Sequence, residues 1–99
     1  MDESNSIQLT DDVLLKIEDM SSCLMSPSEI ALSVDIQLSK FMHILKHKHD
    51  HPIYIAFQKG RIKTKLDVHR MVISLAKRGS PQAEQLTERF LRNQNNESI

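Results

Sequence analysis

The sequence predicts an all-α fold, and three observations carry that prediction. Its 99 residues contain only two glycines, with 39% hydrophobic and 26% charged residues, the balance of a globular and mostly helical chain rather than a disordered one. Apolar residues recur at three- and four-residue spacing over most of its length. Recognisable start and stop signals punctuate those segments. The chain is long enough for one domain with a modest core, not for two independent ones.

Taken in order, Thr10 followed by DDVLLKIEDMSSCL predicts a capped first helix. Two aspartates occupy its first turn, where the helix dipole favours negative charge. Val13, Leu14, Ile17 and Met20–Ser21 recur at helical spacing, with Leu24 expected to close the stripe. Ser26-Pro27-Ser28-Glu29 then places a capping serine before a proline, with a glutamate three residues beyond the cap. Such a capping box starts a short helix, SEIALSV.

The pattern breaks near Val34-Asp35-Ile36 and resumes in another phase. Leu38, Phe41, Ile44 and Leu45 make the apolar stripe of a third helix, which ends in the histidine-rich run KHKHDH, Lys46 to His51.

Asp50-His51-Pro52 predicts the next start, and from Ile53 a long helix is expected to reach Arg78-Gly79, where glycine is a common stop. Gly60 interrupts it, at about 1 kcal/mol relative to alanine, and is a candidate bend. This helix carries two apolar stripes: Ile53, Phe57, Gly60, Thr64, Val68, Met71 and Leu75 on one face, and Ile55, Ile62, Leu66, Ile73 and Ala76 on another. A helix apolar on two sides must touch two partners, either parts of its own chain or a neighbouring subunit. Ser80-Pro81 starts a last short helix, QAEQLTERFL, and the final residues read as a frayed tail.

The expected organisation is an acidic arm with one helix over residues 1–25, a helix-turn-helix (homeodomain-like) core over 26–51, a long helix and a C-terminal helix over 52–93 for packing and oligomerisation, and a disordered tail over 94–99. A pair of short helices from Pro27 to about Lys48 has the proportions of that motif. Ala31 is small where two helices cross, Val34 and Ile36 flank the turn, and Phe41 and Ile44 anchor the second helix. Asp35 stands where glycine is usual, in a backbone conformation that aspartate tolerates better than most residues.

No apolar run approaches the roughly 20 residues needed to cross a bilayer. The beginning, MDESNSIQLTDD, is unlike a signal peptide, and a lone cysteine, Cys23, fits a reducing cytoplasm. The formal net charge of zero conceals a division. Eight acids face Lys16 alone through Asp35, for −7; ten Lys/Arg face Asp50 and Asp67 through Arg78, for +8; two arginines face three glutamates thereafter, for −1. A basic middle segment beside an acidic arm points toward anion or nucleic-acid contact, although a salt-bridged surface explains it equally.

Those residues also carry a resemblance. EIALSVDIQLSKFMHILK resembles the helix-turn-helix of phage small terminase subunits and related phage proteins, in which a pattern like E-I-A-x-x-L-G-V-S-x-x-T-F-x-x-W-L recurs. PIYIAFQKGR, Pro52 to Arg61, is similar to the P-x-F-x-x-A-x-x-x-G-[KR] segment that follows, with Ala56 one place early. SLAKRGSPQAEQLTERFLRN looks like the family's ending, so the resemblance covers roughly Ser26 to Asn93. Ile44 replaces the pattern's tryptophan, Asp35 its glycine and Lys40 its threonine, so no DNA sequence preference carries over.

The resemblance implies a non-enzymatic, oligomeric subunit that recognises duplex DNA for viral genome packaging and hands it to a large terminase subunit. Its setting would be the cytoplasm of a bacterial host, encoded by a phage or prophage. The residues expected at the DNA are Gln37, Ser39, Lys40, Met42, His43, Lys46, His47 and Lys48. Glutamine and lysine have the donors for groove contacts, and the remaining cations suit the phosphate backbone.

KHKHDH can be weighed against metal chemistry. His43 and His47 share a helix face, but there is no cysteine pair and no H-E-x-x-H arrangement, so no metal site is expected. No nucleophile with an orienting base and no glycine-rich phosphate loop is present, so neither catalysis nor a cofactor is expected. If the run faces phosphate, histidine protonation strengthens binding below roughly pH 6.5. Two other readings stay open: a dimeric transcription regulator reading two half-sites, and a helical protein-interaction adaptor that does not bind DNA.

Overall fold

The structure, a computed structural model, describes residues 9–94; the frayed-tail expectation for 95–99 and the beginning of the acidic arm lie outside the described residues. It is all-helical over that range: α1 Asp11–Ser22, α2 Pro27–Ser33, α3 Leu38–His47, α4 Pro52–Lys77 and α5 Pro81–Gln94. Gln94, expected in the tail, is the last residue of α5. No described helix is long and apolar enough to cross a membrane. The chain divides into two compact units, the first ending at Thr64 within α4 and the second beginning at Lys65.

The first unit is built around Ile17 of α1, Ile30 and Ala31 of α2, Ile36 in the turn, Phe41 and Ile44 of α3, and Ile53 and Ala56 of α4. Fully burying an aliphatic or aromatic side chain of this size is worth about 1.5–3 kcal/mol. Phe57 meets Phe41 edge to face, with ring centroids 6.2 Å apart.

The ends of these helices follow from local chemistry. Thr10 Oγ1 accepts the Val13 N–H at 3.2 Å, and the Ser26–Glu29 capping box is present in both directions. In that box the Ser26 backbone N–H donates to the Glu29 carboxylate at 3.0 Å, and this bond, then that from the Ser26 hydroxyl, holds the carboxyl below the usual glutamate range.

Three helix ends share one closure. Where α2 stops, the Asp35 N–H donates to Leu32 O and the Ile36 N–H to Ala31 O, with Asp35 left-handed at φ 59°. Where α4 stops, Gly79 and Ser80 repeat the arrangement on Ala76 and Leu75, with Gly79 at φ 96°. Where α1 stops, Leu24 donates to Ser21 and Met25 to Met20, with Leu24 at φ 62°. This is the Schellman closure, which satisfies the last carbonyls and normally employs glycine. Leu24 therefore does not continue the α1 stripe. The left-handed backbone turns it outward, and it is 62% exposed.

Gly60 is not a bend but the closest approach of two helices. α4 runs through it without interruption, and a Cβ placed there would lie 2.2 Å from Glu18 O, 2.7 Å from Ser21 Cβ and 2.8 Å from Ser22 N. Around this crossing α4 satisfies the carboxyl end of α1. Arg61 donates to Ser21 O and to Met25 O, each at 2.7 Å, with its guanidinium 4.5 Å from the centre of the Phe57 ring. Thr64 donates to Ser22 O, and the buried Ser21 hydroxyl returns a bond to Phe57 O at 2.5 Å. Lys63 pairs with Glu18 at 3.0 Å.

The second unit contains the remainder of α4 and all of α5. The Ser80 hydroxyl caps α5 by accepting the Ala83 N–H at 3.3 Å. His69 stacks on Phe90 with ring centroids 3.5 Å apart and planes within 5°. Ala83 is its buried hydrophobic residue, while Leu66, Val68, Met71, Ile73, Leu75, Leu86 and Leu91 are exposed. The first of the two α4 stripes thus changes character along the helix. Ile53 and Gly60 are buried and Phe57 and Thr64 half-buried, whereas Val68, Met71 and Leu75 on the same stripe face solvent.

Candidate nucleic-acid interface

α3 is held by Phe41 and Ile44, both buried, and flanked by half-buried Leu45. At 3.6 residues per turn, Ser39, His43, Lys46 and His47 fall on the side opposite Phe41. All four are exposed, Met42 is half-buried at one edge of that face, and half-buried Lys40 stands at the other. Gln37 precedes the helix as an exposed N-cap residue whose side chain makes no capping bond, and exposed Lys48 follows its end. Six of the eight expected contact residues therefore line the outward side of α3 or its ends, with Met42 and Lys40 at its two flanks.

The electrostatics of this helix are one-sided. From Leu38 to Lys48 there is no carboxylate, and none stands in the first turn. Lys46 and His47 occupy the last turn, where cations complement the helix dipole. The face offers donors from end to end.

The histidines divide by role. His43 and His47 lie together on the outward face, with ring centroids 5.0 Å apart and a 48° tilt. His49 leaves that face and stacks on Tyr54 at 4.4 Å. His51 accepts the Ile53 N–H on Nδ1 at 3.1 Å, capping the start of α4. Among the described residues no three His, Cys, Asp or Glu side chains come together as a group able to hold a metal ion. The histidine-rich stretch from His43 to His51 is thus two segments, an outward pair on α3 and two rings that shape the passage into α4.

Two cations of the basic segment and one of the acidic arm hold the fold together. Arg61 closes α1, Lys63 meets Glu18, and Lys16, the arm's single cation, reaches Ser33 O at the end of α2 at 3.5 Å. Sequence spacing did not reveal the role of Arg61, because its two carbonyl partners lie 36 and 40 residues away. Comparison of the chain with protein-family models, with curated proteins and with solved structures finds no match in any of the three.

Proposed function

We propose that this chain is a non-enzymatic reader of duplex DNA that presents the outward face of α3 to a groove. The observation that carries the proposal is the composition of that face. A helix anchored by Phe41 and Ile44 turns Ser39, His43, Lys46 and His47 to solvent without a carboxylate among them. The left-handed Asp35 between α2 and α3 supports the same reading, since a helix-turn-helix needs that backbone in its turn.

In this reading Gln37 and Ser39 hydrogen-bond base edges, and Lys46, Lys48 and the two histidines meet phosphates on either side. The resemblance to phage small terminase subunits gives this activity its proposed setting, the recognition of viral DNA for delivery to a large packaging subunit. A two-site transcription regulator would use the same face.

Fluorescence anisotropy with a duplex across a salt series tests the proposal, with Lys40, Lys46 and Lys48 replaced by alanine in parallel. Log affinity should fall with log salt by about 0.9 per phosphate contact, and the triple variant should lose affinity and slope together. If the unaltered chain fails to bind at low salt, DNA reading is wrong and the protein-adaptor reading takes its place.

A further inference from the structure

We infer that His43 and His47 form an open, two-histidine site for a divalent late transition ion such as zinc, nickel or copper. The site stands whether or not α3 reads DNA.

H-I-L-K-H, His43 to His47, places two imidazoles four residues apart on α3. At 3.6 residues per turn they lie one above the other, the spacing by which a helix offers two nitrogens to one zinc ion. Their ring centroids are 5.0 Å apart, with a 48° tilt between the planes. A zinc ion bonded at about 2.1 Å to one nitrogen of each ring, with a near-tetrahedral angle between the bonds, separates the ring centres by about 5 Å. Convergence on an ion therefore calls for side-chain rotation and no movement of the backbone. The backbone itself is set in advance, because Phe41 and Ile44 anchor the helix in the core.

Both imidazoles are exposed, and among the described residues neither is engaged in a hydrogen bond or an ion pair. The neighbouring histidines are committed elsewhere: His49 stacks on Tyr54, and His51 accepts the Ile53 N–H. No three ligating side chains of the described residues come together, so this is not a closed structural centre. Two protein nitrogens leave the ion's other positions to water. Exposed Ser39, four residues before His43, lies on the same line of the helix, where its hydroxyl can accept from such a water.

The surroundings select the class of ion. From Leu38 to Lys48 there is no carboxylate, so the face lacks the oxygen ligands that magnesium and calcium take. Lys46 and Lys48 repel a cation attracted by charge alone. What remains is donation from imidazole nitrogen, which suits copper, nickel and zinc.

The test titrates zinc chloride into the full chain by calorimetry at about pH 7.5, where ordinary imidazole is mostly neutral. Far-ultraviolet circular dichroism checks that each variant keeps its helices. One zinc ion per chain should bind, and magnesium chloride should not. His43→Gln and His47→Gln should each weaken zinc binding by about tenfold or more, since each removes one arm of a chelate. His49→Gln should leave it unchanged. A respaced variant, His43→Gln with Ser39→His, keeps five histidines but sets the two rings on this face eight residues apart, about 12 Å along the helix. It should bind zinc as weakly as His43→Gln does.

An unaltered chain that binds no zinc up to the solubility limit overturns the inference. So does full binding by the respaced variant or by His43→Gln, which would show attraction to a histidine-rich segment rather than chelation by this pair. A loss in His49→Gln as large as that in His47→Gln also overturns it, by moving the ion to the loop after α3.

Discussion

The two units are made of the same material and differ in how much of it they bury. The first, ending at Thr64, gathers eight hydrophobic residues from α1 to α4 into one buried cluster. Among the described residues the second, from Lys65, has Ala83 as its buried hydrophobic residue and leaves seven large apolar side chains exposed, against six left exposed beside the first unit's core. Helical periodicity is equally clear in both, so amphipathicity alone does not tell whether a stripe is core or surface. Partners decide. In the first unit four helices supply them; in the second, two helices have little to offer each other beyond the His69–Phe90 stack and Ala83. The buried cluster of the described residues lies in the first unit.

The widest gap between the units should appear on truncating an apolar side chain in each. Phe41→Ala is expected to cost about 3–5 kcal/mol in urea unfolding, from lost transfer energy and the cavity left behind. Met71→Ala, at a side chain 66% exposed, should stay within about 0.5 kcal/mol. Comparable losses at both positions would break the contrast.

Gly60→Ala sharpens it at the α1–α4 crossing. Alanine's helix propensity alone would favour the variant by about 1 kcal/mol. The added Cβ would collide mainly with backbone, so a net loss on the order of 2 kcal/mol is expected, and a gain would mean the helices are free to separate. Arg61→Met removes the charged donors from Ser21 O and Met25 O while keeping much of the apolar stem. It should cost about 1–3 kcal/mol in the same assay, whereas Arg70→Met in the second unit should cost almost nothing.

Leu24→Gly runs in the other direction. Relieving a left-handed leucine should raise stability by about 1 kcal/mol, more than Asp35→Gly, because aspartate tolerates that conformation better. The smallest expected effect is a pH dependence from the capping box. The Glu29 carboxyl is held below its ordinary range by bonds from Ser26, so its contribution is complete above that range and fades as pH falls through the lowered value. Thermal melts of Glu29→Ala should therefore lie below those of the unaltered chain near neutral pH and converge with them in acid.

What could be read from the sequence was what depends on near neighbours. The Ser26–Glu29 box, the left-handed Asp35, the Gly79 stop and the anchors Phe41 and Ile44 are all set within a few residues, and each is present in the structure. The outward face of α3 follows from its anchors, and Ser39, His43, Lys46 and His47 are exposed on it. What could not be read depends on distant partners. Gly60 looked like a bend because α1, which presses on it, is about 40 residues away in sequence. Arg61 looked like one more cation in a basic segment until α1 supplied its carbonyls. Leu24 has the apolar character of a stripe residue, and only the closure of α1 by Met25 on Met20 turns it outward.

The proposed contact with duplex DNA lies on α3, in the first unit. The most direct test follows backbone amide signals of the full chain by nuclear magnetic resonance while a duplex is added at low salt. The account predicts that Gln37, Ser39, His43, Lys46, His47 and Lys48 shift together and saturably, ahead of Arg70 and Lys77. Shifts confined to the second unit, or none at all, would contradict it.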